Sequence, residues 1–215
     1  MQNEVVYNNF IKSDSFSGVN KKYELEYIFP SNFIGNESIG TIHKVKVKNN
    51  HLKERIRFHL DFLSMKRFSR RSSTFPLKYK KTYLDKNNFL IRLRSYFLSL
   101  PIIYEIVSRC AEWFIGINEE YVSLIKKVNP DLIIFPSYFN DPESLDLIRA
   151  AKKCRASSLM IMGNWDNVAS KGVLRFRPDF LGVWGEQTLL QAIKIHKFKE
   201  NQVHLLGSPQ FDKYY

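Results

Sequence analysis

The sequence is poor in cysteine, glycine and proline, and these shortages exclude several protein classes. Its two cysteines, Cys110 and Cys154, lie 44 positions apart, and no CxxC pair or Cys/His cluster occurs. This pattern argues against a disulfide scaffold and predicts no metal site, so we interpret both residues as buried, reduced thiols. With 9 glycines and 8 prolines in 215 residues, the chain is neither collagen-like nor of low complexity. Apolar residues make up 44%, enough for the core of one ordinary domain.

The sequence also lacks the usual signatures of nucleotide binding, secretion and membrane spanning. Neither GxGxxG nor GxxxxGK[ST] occurs, and the N-terminus has no apolar signal-like region. The most apolar window, 98–117, contains Glu105, Arg109 and Glu112, which makes it a poor membrane span. Apolar residues recur there in steps of three and four, which predicts an amphipathic helix packed on a core through Ile103, Ile106, Val107, Cys110, Phe114 and Ile117.

The positive charge is concentrated in one segment. Residues 44–94 hold 16 Lys/Arg and 3 Asp/Glu, a net charge of +13 within a chain whose total is +12. Aromatic residues interleave with these charges, and the combination suits an anionic partner such as a membrane surface or a phosphorylated substrate. An open alternative is a solvated helix surface whose aromatic residues point inward. The predicted anion-binding patch consists of Lys66, Arg67, Arg70, Arg71, Lys78, Lys80 and Lys81.

The second half of the chain alternates strand and helix patterns. Short, continuous apolar runs are typical of strands covered on both faces, and they occur at 131–137, 157–163, 180–185 and 203–208. Helices are predicted from a cap at Asp141 and over 185–200. The fold class is therefore α/β, a Rossmann-like parallel sheet with helices on both faces.

The first half is less regular, and its pattern gives weaker boundaries. It indicates a helical start at 4–11, strands at 23–29 and 41–47, and helices at 51–71 and 88–100, with a loop over 70–83. We predict one Rossmann-like domain over 1–215, with a basic, mostly helical insertion at about 50–100. Its regular parallel part covers about 129–209, and residues 210–215 begin an interdomain linker.

Polar loops follow all four predicted strands of the second half, at 135–141, 163–172, 185–188 and 207–212. Ligands of open parallel sheets bind beyond the carboxyl ends of the strands. Trp165 offers a flat face for a sugar or base, Asp166 and Asn167 can bond hydroxyls, and Lys171 can meet a phosphate. Asp166 is also the candidate catalytic base. The predicted substrate-binding residues are Ser137, Trp165, Asn167, Lys171, Trp184, Gln210 and Asp212.

Each of these residues has a structural alternative. Asp166 or Asn167 fits a helix cap, Trp165 a lid over the core, and Lys171 a solvated position. His196 lies on the apolar stripe of its helix and fits a packed helix residue, and His204 has the same interpretation within its strand. No Ser/His/Asp order or carboxylate pair supports a catalytic site from spacing alone.

The last third of the chain resembles a known family. The pattern is a Trp-Asp-Asn turn with a following Ser-Lys-Gly, a strand ending in Val-Trp, a helix with a histidine, and a closing Gly-Ser-Pro-Gln-Phe-Asp. In this sequence these residues are Trp165, Asp166, Asn167, Ser170, Lys171, Gly172, Val183, Trp184, His196, Gly207, Ser208, Pro209, Gln210, Phe211 and Asp212. The chain resembles the N-terminal half of bacterial GT-B glycosyltransferase-like proteins of surface-polysaccharide synthesis, distant relatives of the glycerophosphotransferases of teichoic acid assembly.

The resemblance implies an incomplete GT-B fold, in which this chain is the acceptor-side domain. The implied partners are a nucleotide-sugar donor, held mostly by a C-terminal domain, and a phosphorylated or lipid-linked glycan acceptor. No cofactor is implied, and whether the chain is active alone stays open. The expected location is cytoplasmic, extending to the inner face of the cytoplasmic membrane. The alternatives are a non-catalytic module that binds anionic lipid-linked glycan or a membrane through residues 44–94, and nucleic-acid binding, which no motif supports.

Overall fold

The protein is described from a computed structural model that covers residues 7–11, 16–31, 40–46, 50–137, 139, 141–208 and 211. The chain divides into two compact units. Residues 1–48 and 207–215 form the first unit, and residues 49–206 form the second. The prediction of one domain over 1–215 stays a prediction.

The first unit contains a short parallel pair of strands. It begins with a helical turn at Tyr7–Ile11, continues through helix α1 (Ser17–Asn20), and pairs strand β1 (Glu26–Pro30) with β2 (Thr41–Val45) in parallel. The strands predicted at 23–29 and 41–47 are confirmed, but β1 begins three residues later than predicted and β2 ends at Val45. The core of this unit is apolar and is formed by Tyr7, Phe10, Phe29 and Val45.

The second unit is built on a four-stranded parallel sheet. Its strands are β3 (Leu132–Ser137), β4 (Ser157–Met162), β5 (Phe180–Val183) and β6 (Val203–Leu205), paired in that order. Each strand carries fully or nearly fully buried apolar residues, as the continuous apolar runs predict. The predicted α/β class with a Rossmann-like parallel sheet is confirmed. Because all four strands are parallel, their carboxyl ends share one edge.

Eight α-helices of the second unit lie within the described residues. The five predicted helices, at 51–71, 88–100, within 98–117, after Asp141 and at 185–200, are confirmed with shifts at their ends. The Asp141 carboxylate caps the helix that follows it, accepting a hydrogen bond from the Ser144 backbone N–H at 2.9 Å. The helices are α2 (His51–Arg67), α3 (Thr74–Lys78), α4 (Phe89–Leu98), α5 (Pro101–Ile115), α6 (Glu119–Val128), α7 (Pro142–Cys154), α8 (Asn167–Ser170) and α9 (Glu186–His196).

The loop predicted over 70–83 is wrong, because this segment is mostly helical. Helix α3 continues directly into a π-helical segment at Tyr79–Leu84. Pro76 lies in the first turn of α3, where a missing N–H breaks no helical hydrogen bond. Phe75, Tyr79 and Tyr83 recur every four residues and are all buried in one aromatic cluster with Phe62. The aromatic spacing was the helical signal, and the serines and the proline obscured it.

The orientation predicted for the helix in 98–117 is wrong for most of its residues, although Val107 packs against a buried cluster as predicted. Helix α5 turns Tyr104, Glu112 and Ile115 inward, whereas Ile106 and Phe114 are more than half exposed. Cys110 is exposed as well and Cys154 is half-buried, which corrects the prediction of two buried thiols. No helix among the described residues is long and apolar enough to cross a membrane.

A buried ion network explains why Glu112 points inward. The Glu112 carboxylate accepts hydrogen bonds from Arg149 Nη1 and from Arg175 Nε, both at 3.0 Å. Arg57 Nη2 lies 3.6 Å from the same carboxylate and donates to Asp146 Oδ1 at 2.6 Å. Arg175 also pairs with Asp61. The network therefore joins α2, α5, α7 and the segment before β5, and it consists of Arg57, Asp61, Glu112, Asp146, Arg149 and Arg175.

Candidate functional site

A cleft lined by two indoles lies at the carboxyl ends of β4 and β5. Trp165 comes three residues after β4, and Trp184 directly follows β5. The cleft has a volume of about 300 Å³, near the lower end of the range for small-molecule sites. We call it the two-indole cleft, and it is lined by Trp165, Trp184, Gly185, Glu186, Gln187, Thr188 and Gln191.

The two indoles are held differently. The Trp184 indole N–H donates a hydrogen bond to the backbone carbonyl of Met162, the last residue of β4, at 2.8 Å. This bond fixes the Trp184 ring across the ends of two neighbouring strands. Trp165 is 57% exposed, so its alternative interpretation as a lid over the core is wrong. An exposed, flat apolar ring beside a fixed one is a surface on which a ligand ring can stack.

The first turns of α9 supply the polar side of the cleft. Glu186 and Gln187 are exposed, and Gln191 lies one turn further along the same helix. Their carboxylate and amide groups can accept and donate hydrogen bonds to hydroxyls. The negative charge of Glu186 opposes a phosphate at this position. The cleft therefore suits a neutral, hydroxyl-rich ring better than an anion.

The turn that follows β4 places the candidate base beside the cleft rather than in its lining. Asp166 precedes α8, and its carboxylate accepts a hydrogen bond from the Ser170 hydroxyl at 3.2 Å without bonding a helix N–H. Asn167 is 1% exposed, and its side-chain nitrogen has no hydrogen-bond partner among the described residues. Asp166 as a base and Asn167 as a substrate contact stay predictions.

The basic segment packs against this turn. The Ser72 hydroxyl donates to the Ala169 carbonyl at 2.7 Å, and the Lys78 ammonium donates to the Ser170 carbonyl at 3.0 Å. Burial lowers the pKa of Lys78, and the nearby positive charge of Lys171 lowers it further, while Asp166 opposes this shift. Lys78 therefore lies close to both Lys171 and Asp166. The basic segment and the turn after β4, which were considered separately in the sequence, are adjacent in the fold.

Much of the predicted anion-binding patch makes contacts within the protein. Lys66 lies over the rings of Tyr79 and Tyr96, each at 5.7 Å, and Arg67 and Arg71 lie over Phe68 at 5.0 and 4.2 Å. Arg71 also donates to the Ile195 carbonyl at 3.1 Å. The exposed members of the patch are Arg70, Lys80 and Lys81. The inward-pointing interpretation of the aromatic residues thus holds for Phe62, Phe75, Tyr79 and Tyr83, whereas Phe58 and Phe89 are exposed.

His196 is a structural residue that joins α9 to the segment after α8. Its Nδ1 accepts a hydrogen bond from the Leu174 backbone N–H at 3.3 Å, and its Nε2 donates to the Val168 carbonyl at 2.7 Å. The bond from Leu174 requires an unprotonated Nδ1 and hence the neutral ring, and burial lowers the pKa of His196 to about 4. The interpretation of His196 as a packed helix residue is confirmed. His204 lies in β6 but is exposed.

Gly172 allows this segment to approach α2. It has φ +89°, and a Cβ built on it would lie 3.0 Å from the Ser64 hydroxyl oxygen. We expect Gly172→Ala to lower the free energy of unfolding by about 1–3 kcal/mol, because the substitution adds backbone strain to a close contact. Urea denaturation measures the change. Gly185→Ala is the matched control, since its added Cβ meets nothing within 4 Å. Equal midpoints for the two variants would contradict this account.

The remaining predicted residues are placed as follows. Ser137 is 1% exposed, and its hydroxyl donates to Asp141 at 2.8 Å and accepts from the Phe139 N–H at 2.9 Å. These two bonds engage the Ser137 hydroxyl as donor and as acceptor, and they stabilise the turn at the end of β3. Gln210 and Asp212 lie outside the described residues. The sequence predicted a polar loop at 185–188 but not the contribution of Gln191 to the cleft. Gln191 follows Gln187 by four residues, and this helical spacing could have placed both side chains on one face.

The fold and the cleft define an α/β protein with a parallel sheet and a tryptophan-lined site at its carboxyl edge. Among the described residues, no group of three or more His, Cys, Asp or Glu side chains could hold a metal ion. We found no match of the chain to a protein-family model, to a curated protein or to a solved structure.

Proposed function

We propose that the protein is the acceptor-side domain of a glycosyltransferase of bacterial surface-polysaccharide synthesis and that it binds a glycan in the two-indole cleft. The observation that carries this proposal is the pairing of Trp165 and Trp184 with carboxylate and amide side chains at one sheet edge. Sugar rings present C–H faces that stack on aromatic rings and hydroxyls that bond polar groups. The resemblance of residues 131–215 to glycosyltransferase-like proteins agrees with this chemistry.

In the proposed reaction, the glycan held in the cleft is the acceptor and a nucleotide sugar is the donor. Asp166, next to Trp165 in the chain, accepts the proton of the acceptor hydroxyl as general base. Lys171 lies close enough to lower the pKa of Lys78, and the two ammonium groups can stabilise a negatively charged phosphate of the donor or of a phosphorylated acceptor. Carbohydrate and phosphate would then occupy neighbouring, chemically different places.

The exposed tryptophan of the cleft provides a direct test. We expect Trp165→Ala to weaken the binding of acceptor oligosaccharides by about tenfold or more, because removing a stacked apolar ring costs about 1.5–3 kcal/mol. Binding is measured by calorimetry against a panel of soluble bacterial-type oligosaccharides and, separately, nucleotide sugars.

The matched control is Trp113→Ala, which removes an equally large side chain that is 83% exposed and outside the cleft. This variant should bind like the original protein. If the original protein binds no oligosaccharide of the panel, or if both variants bind equally well, the proposed glycan site is wrong. Binding of nucleotide sugars alone, lost with Trp165, would reassign the cleft to the donor.

A further inference from the structure

Helices α4 and α5 present an unusually apolar outer surface. They pack against each other and against α2, yet many of their large apolar side chains are open to solvent. Phe89, Ile102 and Trp113 are 74%, 75% and 83% exposed. We call this surface the apolar hairpin face, and it consists of Phe89, Leu90, Leu93, Tyr96, Phe97, Leu100, Ile102, Ile103, Ile106, Trp113 and Phe114.

The apolar residues form one stripe on each helix. In α4, Phe89, Leu93 and Phe97 follow the four-residue helical repeat, and Arg92 and Arg94 fall at the two borders of their stripe. In α5, Ile102, Ile106 and Trp113 share one side, with the exposed Arg109 at its border. Both helices are therefore amphipathic with their apolar sides outward.

The inward sides of the same helices are partly polar. Ser95 of α4 is buried and bonds the Tyr79 hydroxyl at 2.6 Å, and Glu112 of α5 belongs to the buried ion network. The polar groups on these inward sides are thus matched by partners inside the protein. The apolar sides have no such role in the core. On each helix the exposed apolar residues follow one another at three- and four-residue steps, and exposed apolar patches mark interaction sites.

We propose that the apolar hairpin face docks on an anionic lipid bilayer, with α4 and α5 lying in the interface between head groups and acyl chains. The arginines at the borders are placed to meet anionic head groups while the apolar stripes enter the acyl boundary. Trp113 and Tyr96 are the amphipathic rings that favour this depth. Neither helix is long enough to span the bilayer, so both lie on it.

The arrangement of charge favours a membrane over a second copy of the chain. A two-fold dimer would bring the same patch together with itself. Its borders hold three arginines, Arg92, Arg94 and Arg109, against one exposed carboxylate, that of Glu105, so like charges would predominate. Helix α4 contains two arginines and no acidic residue. Its first six residues are the last six of segment 44–94, whose net charge is +13. An anionic surface complements this charge. The proposal is independent of the glycan site.

The exposed Cys110 allows the contact to be observed directly, because it lies on α5 within the apolar stripe, one turn from Ile106 and from Phe114. In a Cys154→Ala background, Cys110 is labelled with an environment-sensitive fluorophore and mixed with phosphatidylcholine vesicles with or without phosphatidylglycerol. We expect a blue-shifted, stronger emission and co-sedimentation with the anionic vesicles. High salt should weaken the binding without abolishing it, since part of the attraction is apolar.

Matched variants distinguish this contact from nonspecific adsorption to vesicles. Ile102→Gln combined with Trp113→Gln should lower the vesicle partition coefficient by about tenfold or more, because each substitution removes an inserted apolar side chain. Leu190→Gln changes a side chain that is 64% exposed on α9 and should leave it unchanged. Circular dichroism and oligosaccharide binding should be the same in all variants.

Three results would overturn the proposal. They are no partition onto anionic vesicles, equal loss in the Leu190→Gln control, and a label already protected in a dimer detected by light scattering without lipid. The last result would assign the face to a second copy. Loss of oligosaccharide binding with intact vesicle binding would overturn the glycan site alone.

Discussion

Glu112→Gln is expected to lower the free energy of unfolding by about 3–5 kcal/mol, the range measured when one partner of a buried ion pair is removed. The Glu112 side chain is 6% exposed and contacts three guanidinium groups, those of Arg57, Arg149 and Arg175. The amide keeps the shape of the carboxylate but removes its charge. Three buried arginines would then face only Asp61 and Asp146, and the excess positive charge cannot reach water.

The matched control for this experiment is Glu105→Gln, on the same helix but exposed to solvent. It makes the same chemical change where solvent screens the charge, so the unfolding free energy should shift by well under 1 kcal/mol. Chemical denaturation of both variants at neutral pH gives the comparison. Similar midpoints for the two variants would mean that the network contributes little to stability.

The orientation of α5 shows where sequence periodicity reaches its limit. The apolar stripe through Ile103 and Ile106 predicted the buried side, since most amphipathic helices turn that side to the core. Here the helix is rotated so that an adjacent side, with Tyr104, Glu112 and Ile115, is buried. The cause is that Glu112 meets Arg175, a residue 63 positions later, and Arg57 from α2. Charge pairing over such distances leaves no local pattern. An outward apolar side also needs a partner, which one sequence alone does not reveal.

The sheet, in contrast, was predictable because its signal is local. Each buried strand is a short, continuous apolar run ended by polar residues, and strand–helix alternation implies parallel pairing. Parallel pairing in turn brings Trp165 and Trp184 to one edge, although they are 19 positions apart. The stacking of Lys66 and Arg71 on aromatic rings was not predictable, because a stacked cation and a solvated cation look the same in sequence.

Acidification from pH 6.5 to 4 should lower the free energy of unfolding by about 3 kcal/mol through His196 alone, since its pKa falls from 6.5 to about 4 on folding. Burial is the main cause, and the Arg71 and Arg177 guanidinium groups add to it. The unfolded chain takes up a proton below pH 6.5 while the folded ring stays neutral. The stabilisation is therefore complete above pH 6.5 and is lost as the pH falls.

His196→Gln isolates this effect, because an amide offers a donor and an acceptor but does not titrate in this range. The variant should be less stable at neutral pH, yet its unfolding free energy should fall by about 3 kcal/mol less between pH 6.5 and 4. His204→Gln, at an exposed histidine of β6, should keep the original slope. Equal slopes in all three proteins would exclude His196 as the acid-sensitive group.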